Sequence, residues 1–398
     1  MRIIINFFRQ DFQWLITKQD EFPLLDQNGL KKFFRNSYDP VLGWVRKPNT
    51  KGVEKSAKRK TFYSIDSLGS RSNLAGKNKK KSIATFGDSY VFCRQVNDEE
   101  TWQYFLSIKL NIDVMNFGVG NYGVDQALLR YQNSSLPKEV KVVILGFVPE
   151  TICRIHSYWK HYLEFGNTFA FKPRFILQDN DLKYIPNAMQ SSEDFTKIKE
   201  KLSFIQQNDY FYKFKFRNIQ FRFPYILSFL RNASRNFELL SSLTYRFWAR
   251  LLRQSTIKIE NEPFHLIMQA NIKQAHQMYK QERATKLFEA ILYRFKEIAK
   301  EKGHQPIILV MPQLIDLKMG LMNKMSYQGF FQSLNNKVPV IDLTDFILKY
   351  DFEQLYAEDL YGGHFSKEGN TLVAEYISEK INEIYPEYLS STIKKCKI

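Results

Sequence analysis

Ile83-Ala84-Thr85-Phe86-Gly87-Asp88-Ser89 is an apolar run closed by a Gly-Asp-Ser turn, and a helix-like stretch follows it from about Asp98. A short apolar run bounded by a turn reads as a buried parallel strand. That order puts the Ser89 hydroxyl at the carboxyl end of the strand, where open α/β sheets gather their chemistry. A hydroxyl so placed directs the search along the chain to a base and to donors for an oxyanion.

The same alternation continues outward. β-Branched and apolar content predicts strands at 82–87, 112–117, 140–147, 306–311 and 338–342. Helical patterns fill the gaps at 124–133, 280–302 and 367–384. Strands alternating with helices imply right-handed crossovers and a doubly wound, mostly parallel sheet of the α/β class. The interval from Glu150 to Tyr279 breaks the rhythm and reads as a large, mainly helical insertion. The expected organisation is therefore a turn-rich extension over 1–80, a core formed by 81–150 and 280–390, and the insertion at 151–279. Thr61-Phe62-Tyr63-Ser64-Ile65 is a short strand within the extension.

A chain of 398 residues with 44% hydrophobic residues can build one large core with an insertion, or two domains. Its 34 Phe and 22 Tyr need a large interior or an apolar binding surface. The net charge of +17 would attract phosphates, anionic lipids or acidic glycans. Residues 211–253 carry nine Lys/Arg against the single acid Glu238, with twelve aromatics interleaved. Cys93, Cys153 and Cys396 are odd in number and widely spaced, against a disulfide framework and for a reducing compartment. No Cys/His spacing fits a metal site, and no cofactor is expected. Arg9 and Asp11 interrupt the N-terminal apolar run, and no stretch reaches the roughly 18 uninterrupted apolar residues of a membrane span. The expected location is cytoplasmic, with peripheral contact to an anionic membrane open to the basic aromatic segment.

Two further segments carry chemistry. In Asn116-Phe117-Gly118-Val119-Gly120-Asn121-Tyr122-Gly123 the glycines free the backbone where the second strand turns into a helix, so the loop can aim an N–H at a developing oxyanion. In Tyr361-Gly362-Gly363-His364-Phe365-Ser366-Lys367-Glu368-Gly369-Asn370 a histidine directly precedes the last helix. Neutral imidazole takes a proton from a serine hydroxyl and returns it to a leaving group. That placement makes His364 a better base than His156, His161, His265, His276 or His304.

These three blocks, in this order, resemble those of the SGNH or GDSL hydrolase superfamily, over about 82–150 and 280–385. The resemblance implies a flavodoxin-like fold, Ser89 as nucleophile, His364 as a base held by an acid, and an oxyanion hole. Its donors would be the Ser89 N–H, a second-block N–H and a third-block Asn. The chain departs from the pattern in three places. The second-block donor falls at Asn121, with Gly120 one place earlier. The third block has Glu150 where an Asn is usual, and a missing donor costs about 2.7 to 4 kcal/mol in the transition state; Asn167 is a candidate replacement. Tyr361 occupies the usual place of the acid, and Asp359 is the nearest substitute.

The resemblance implies a serine esterase or O-acyltransferase acting on an acylated sugar or polysaccharide, in bacterial surface-glycan modification. The alternative, motivated by Glu150 and Tyr361, is a catalytically impaired binding or scaffold protein at an anionic membrane or glycan. A nucleic-acid surface on the basic aromatic segment is a third reading, and no nucleic-acid motif accompanies it.

Overall fold

The computed structural model describes residues 16–55, 59–252, 263–320, 325–357 and 363–386. Contacts divide the chain into two units. One comprises Met1–Val45, Cys153–Arg174 and Tyr184–Gln274, and the other Arg46–Ile152, Phe175–Lys183 and Ala275–Ile398. We refer to them as the helical unit and the sheet unit.

In the sheet unit, β1 (Lys51–Lys55) and β2 (Lys60–Ser64) form an antiparallel pair. Then come β3 (Lys81–Gly87), α1 (Ser89–Phe92), α2 (Trp102–Leu110), β4 (Asp113–Gly118), α3 (Val124–Gln132) and β5 (Val142–Phe147). After the insertion follow α4 (Glu282–Glu301), β6 (Gln305–Val310), α5 (Ser326–Asn335), β7 (Val340–Asp342) and α6 (Lys367–Ile384). The five strands β3 to β7 make one sheet in the order β7-β6-β5-β3-β4, and every pairing is parallel. It is the doubly wound α/β sheet that the alternation of strands and helices predicts.

Every residue of β4 and β5 is buried, because helices cover both faces of the sheet. Helix α2 packs on α6, and α3 on α4. The chain leaves β3 for β4 on one side and returns to β5 on the other. Such a reversal opens a crevice at the carboxyl ends of the strands, and Ser89 stands at its mouth.

Residues 46–80 belong to the sheet unit rather than to a separate extension, and Arg71 supplies the reason. Its guanidinium is 1% exposed and pairs with Asp98 at 2.7 Å. It also donates to the carbonyls of Phe92, Cys93 and Val96, each at 2.7 Å. A buried cation is tolerated only when paired and hydrogen-bonded in this way. The strap so formed fixes the loop that follows α1.

The helical unit has an aromatic core of its own. Trp159 stacks on Phe171 with ring centroids 4.6 Å apart, and Tyr162 lies 4.8 Å from Phe216. The buried Asp209 carboxylate accepts the N–H groups of Tyr158, Trp159 and Tyr212 at 2.7, 2.9 and 2.9 Å. Burial pushes its carboxyl above the ordinary range, against those donors. No helix among the described residues is long and apolar enough to cross a membrane.

Candidate active site

Strands β3 and β4 end in glycine, and β5 carries glycine one residue before its end, all at one level. The register pairs Gly87 of β3 with Gly118 of β4 and Gly146 of β5. A Cβ on Gly118 would stand 2.1 Å from the Phe92 nitrogen, and one on Gly87 would stand 2.0 Å from the Gly146 carbonyl oxygen and 2.4 Å from Val91 Cγ2. The glycines thus form a floor on which α1 lies closer to the sheet than any side chain would allow. Asp88 caps this helix. Its carboxylate accepts from the Tyr90 N–H and from the Val148 N–H, both at 2.9 Å. One side chain therefore closes the helix start and ties it to the end of β5.

Ser89 is the first residue of α1 and is 8% exposed. His364 Nε2 lies 2.8 Å from Ser89 Oγ, although 275 residues separate them. Several contacts deliver the imidazole. Gly363 adopts a left-handed φ of 71°, turning the chain immediately before His364. The Ala357 N–H donates to the His364 carbonyl, and the Ser366 N–H donates to the Leu355 carbonyl, both at 2.8 Å. The Ser366 hydroxyl then caps α6 by accepting from the Gly369 N–H at 3.1 Å.

Tyr90 completes the mount. Its ring centroid is 4.8 Å from that of His364 at a 33° tilt, and its hydroxyl donates to the Gly363 carbonyl. The residue after Ser89 therefore holds both the plane of the His364 imidazole and the turn that carries it. Tyr90 is unmarked in the sequence except as the aromatic directly after Gly-Asp-Ser.

The remaining candidates are placed as follows. A Cβ on Gly120 would meet nothing within 4 Å, so space is open beside this backbone. Asn121 is exposed, with a left-handed φ of 67°. Glu150 is fully buried beyond the end of β5. Asn167 belongs to the helical unit, where its amide nitrogen donates to the Glu164 carbonyl at 3.0 Å and to its carboxylate at 3.4 Å. Asp359 and Tyr361 lie outside the described residues.

The nearest alternative nucleophile is Cys93, four residues after Ser89. Burial pushes its thiol up to about 12, so it stays protonated and unreactive near neutrality. Among the described residues no three His, Cys, Asp or Glu side chains converge as a metal site requires.

No protein-family model matches the chain. No curated protein matches it either. Among solved structures it is similar to that of a G-D-S-L family protein from Desulfitobacterium hafniense DCB-2, to which lipolysis is ascribed. The match covers 75% of this chain and 99% of that one, at 13% identity and a TM-score of 0.32. So low a score decides nothing about this chain, whose fold and site rest on the sheet order and the contacts above.

A second serine–histidine pair, unmarked by any sequence pattern, occurs in the sheet unit. His276 Nδ1 lies 3.0 Å from Ser326 Oγ, and His276 Nε2 lies 3.5 Å from the buried Asp316 carboxylate. Here the Ser326 hydroxyl also donates to the His276 carbonyl at 2.9 Å. Two further histidines do structural work. His161 Nε2 meets the Asp20 carbonyl at 2.8 Å, and burial lowers its pKa to about 4. His304 Nδ1 meets the Tyr131 hydroxyl at 2.8 Å.

Proposed function

We propose that this chain is a serine esterase or O-acyltransferase in which Ser89 is the nucleophile and His364 its base. The observation that carries the reading is the 2.8 Å contact between Ser89 Oγ and His364 Nε2 at the carboxyl edge of a parallel sheet. In this reading Nε2 takes the hydroxyl proton as Oγ attacks the acyl carbonyl carbon. The tetrahedral oxyanion collapses, the ester C–O bond breaks, and the imidazolium returns its proton to the departing alkoxide. Water, or a second hydroxyl compound, then attacks the Ser89 ester with His364 again as base, which frees the acyl group and restores the serine.

Donors for the oxyanion are assigned to the Ser89 N–H and to the backbone at Gly120 and Asn121. The first is a helix-start amide, which has no carbonyl partner within its own helix. Asn167 is dropped from the set, because its amide is committed to Glu164. Asp359 is assigned to orient the second ring nitrogen of His364. An acylated carbohydrate as substrate is supported by the resemblance of the three sequence blocks.

The test is release of p-nitrophenol from p-nitrophenyl acetate, and of acetate from O-acetylated saccharides, by the purified protein and by Ser89→Ala. Release lost in the variant supports the reading. Equal release by both proteins, or none by the folded wild type, overturns it.

A further inference from the structure

The helical unit carries a pair of helices whose apolar side faces outward. Phe223 precedes the Tyr225–Arg231 helix, and with Ile226, Leu227 and Leu230 it recurs at helical spacing. These four side chains are 86%, 69%, 52% and 57% exposed. The Ala233–Leu251 helix and the residue after it add Phe237, Leu240, Trp248 and Leu252, all exposed. A helix on a globular domain normally turns such a stripe toward the core. Contacts between the two helices hold the stripe in place: Phe229 meets Phe237 edge to face at 5.1 Å, and Asn236 donates to the Phe229 carbonyl at 2.9 Å.

Beside the stripe lies a recess of about 520 Å³ lined by Lys213, Arg217, Arg222 and Arg231, together with Asn218 and Ser228. No acid lines it, and the Glu21 carboxylate approaches Arg222 at 3.6 Å.

We propose that this face docks on a bilayer containing anionic phospholipid. The apolar side chains enter the acyl boundary, and the basic recess takes a headgroup phosphate. Charge decides against a second copy of this chain as the cover. Residues 211–253 hold nine Lys/Arg and one acid, so two copies would set like charge against like. A nucleic acid or acidic polysaccharide would answer the charge but offers no apolar phase for Phe223, Ile226, Leu230 and Trp248. The surface is independent of Ser89, and Ser89→Ala binds as the wild type does.

Flotation with vesicles tests the proposal. Wild type floats with phosphatidylcholine vesicles containing phosphatidylglycerol, stays behind with pure phosphatidylcholine, and is released by salt. Ile226→Ser with Leu230→Ser weakens binding at least about tenfold. Lys213→Ala with Arg217→Ala weakens it by about fivefold for each charge removed. All four positions are exposed, so an unchanged circular dichroism spectrum and unfolding midpoint show that the fold is kept. Flotation with neither vesicle, equal flotation with both, or full binding by the Ile226/Leu230 variant overturns the proposal. So does a wild-type dimer that this variant splits, which would give the face to a second copy.

Discussion

Two serine–histidine pairs stand among the described residues of the sheet unit, and they are mounted differently. Ser89 meets His364 Nε2 at 2.8 Å, while Ser326 meets His276 Nδ1 at 3.0 Å. By distance alone they are equivalent. A hydroxyl has a single proton, however, and Ser326 donates it to the His276 main-chain carbonyl. Both serines open a helix, Ser89 at the start of α1 and Ser326 at the start of α5, so helix position does not separate them. Ser89 stands on a glycine floor at the sheet's topological switch, with the His364 imidazole held against Tyr90. A serine–histidine contact is thus weak as a sign of catalysis until the destination of the proton and the mounting of the imidazole are known.

The comparison sharpens under substitution. The largest effect is expected from Ser89→Ala and His364→Ala, each lowering kcat for p-nitrophenyl acetate by about 10⁴-fold or more, with no further loss in the double variant. Additive losses would mean that the two residues do not act as a unit. Gly118→Ala comes next. Its Cβ would stand 2.1 Å from the Phe92 nitrogen, so α1 must shift. A displacement of about 1 Å costs about a hundredfold in kcat, and a crystal structure of the variant would show Ser89 moved.

Tyr90→Phe keeps the ring against His364 but removes the hydroxyl from the Gly363 carbonyl. A loss of about tenfold in kcat with little change in KM is expected, since an unsatisfied buried carbonyl is worth about 1–3 kcal/mol to the turn that carries the base. If Tyr90 positions the imidazole, the pH profile of kcat/KM should shift as well, because the ring sees a changed environment. A uniform drop with an unmoved profile would reduce Tyr90 to general packing. The smallest effects belong to the other pair: Ser326→Ala and His276→Gln are expected to stay within about twofold of wild type, as changes away from the reacting groups do.

Much of the sheet was legible in the sequence because strand ends are punctuated locally. The expected strands at 112–117 and 140–147 match Asp113–Gly118 and Val142–Phe147 to within a residue or two. Glycine, serine and histidine at strand ends and helix starts also marked Ser89 and His364 before any contact was known. What could not be read depends on neighbours far apart in the chain. Tyr90 and Gly363 are 273 positions apart, and the glycine floor exists only because three strand ends lie side by side. Residues 46–80 looked like an extension because the partners of Arg71 come later in the chain. The stripe at Phe223, Ile226, Leu227 and Leu230 went unread among the aromatics of 211–253, and even its helical spacing does not say which way a helix faces.

The central claim is that Ser89, and not Ser326, is the nucleophile, and labelling with a fluorophosphonate followed by peptide mapping tests it most directly. The phosphonylated peptide should contain Ser89, disappear in Ser89→Ala and persist in Ser326→Ala. Adduct on Ser326, adduct remaining in Ser89→Ala, or no adduct on folded wild-type protein would contradict the account.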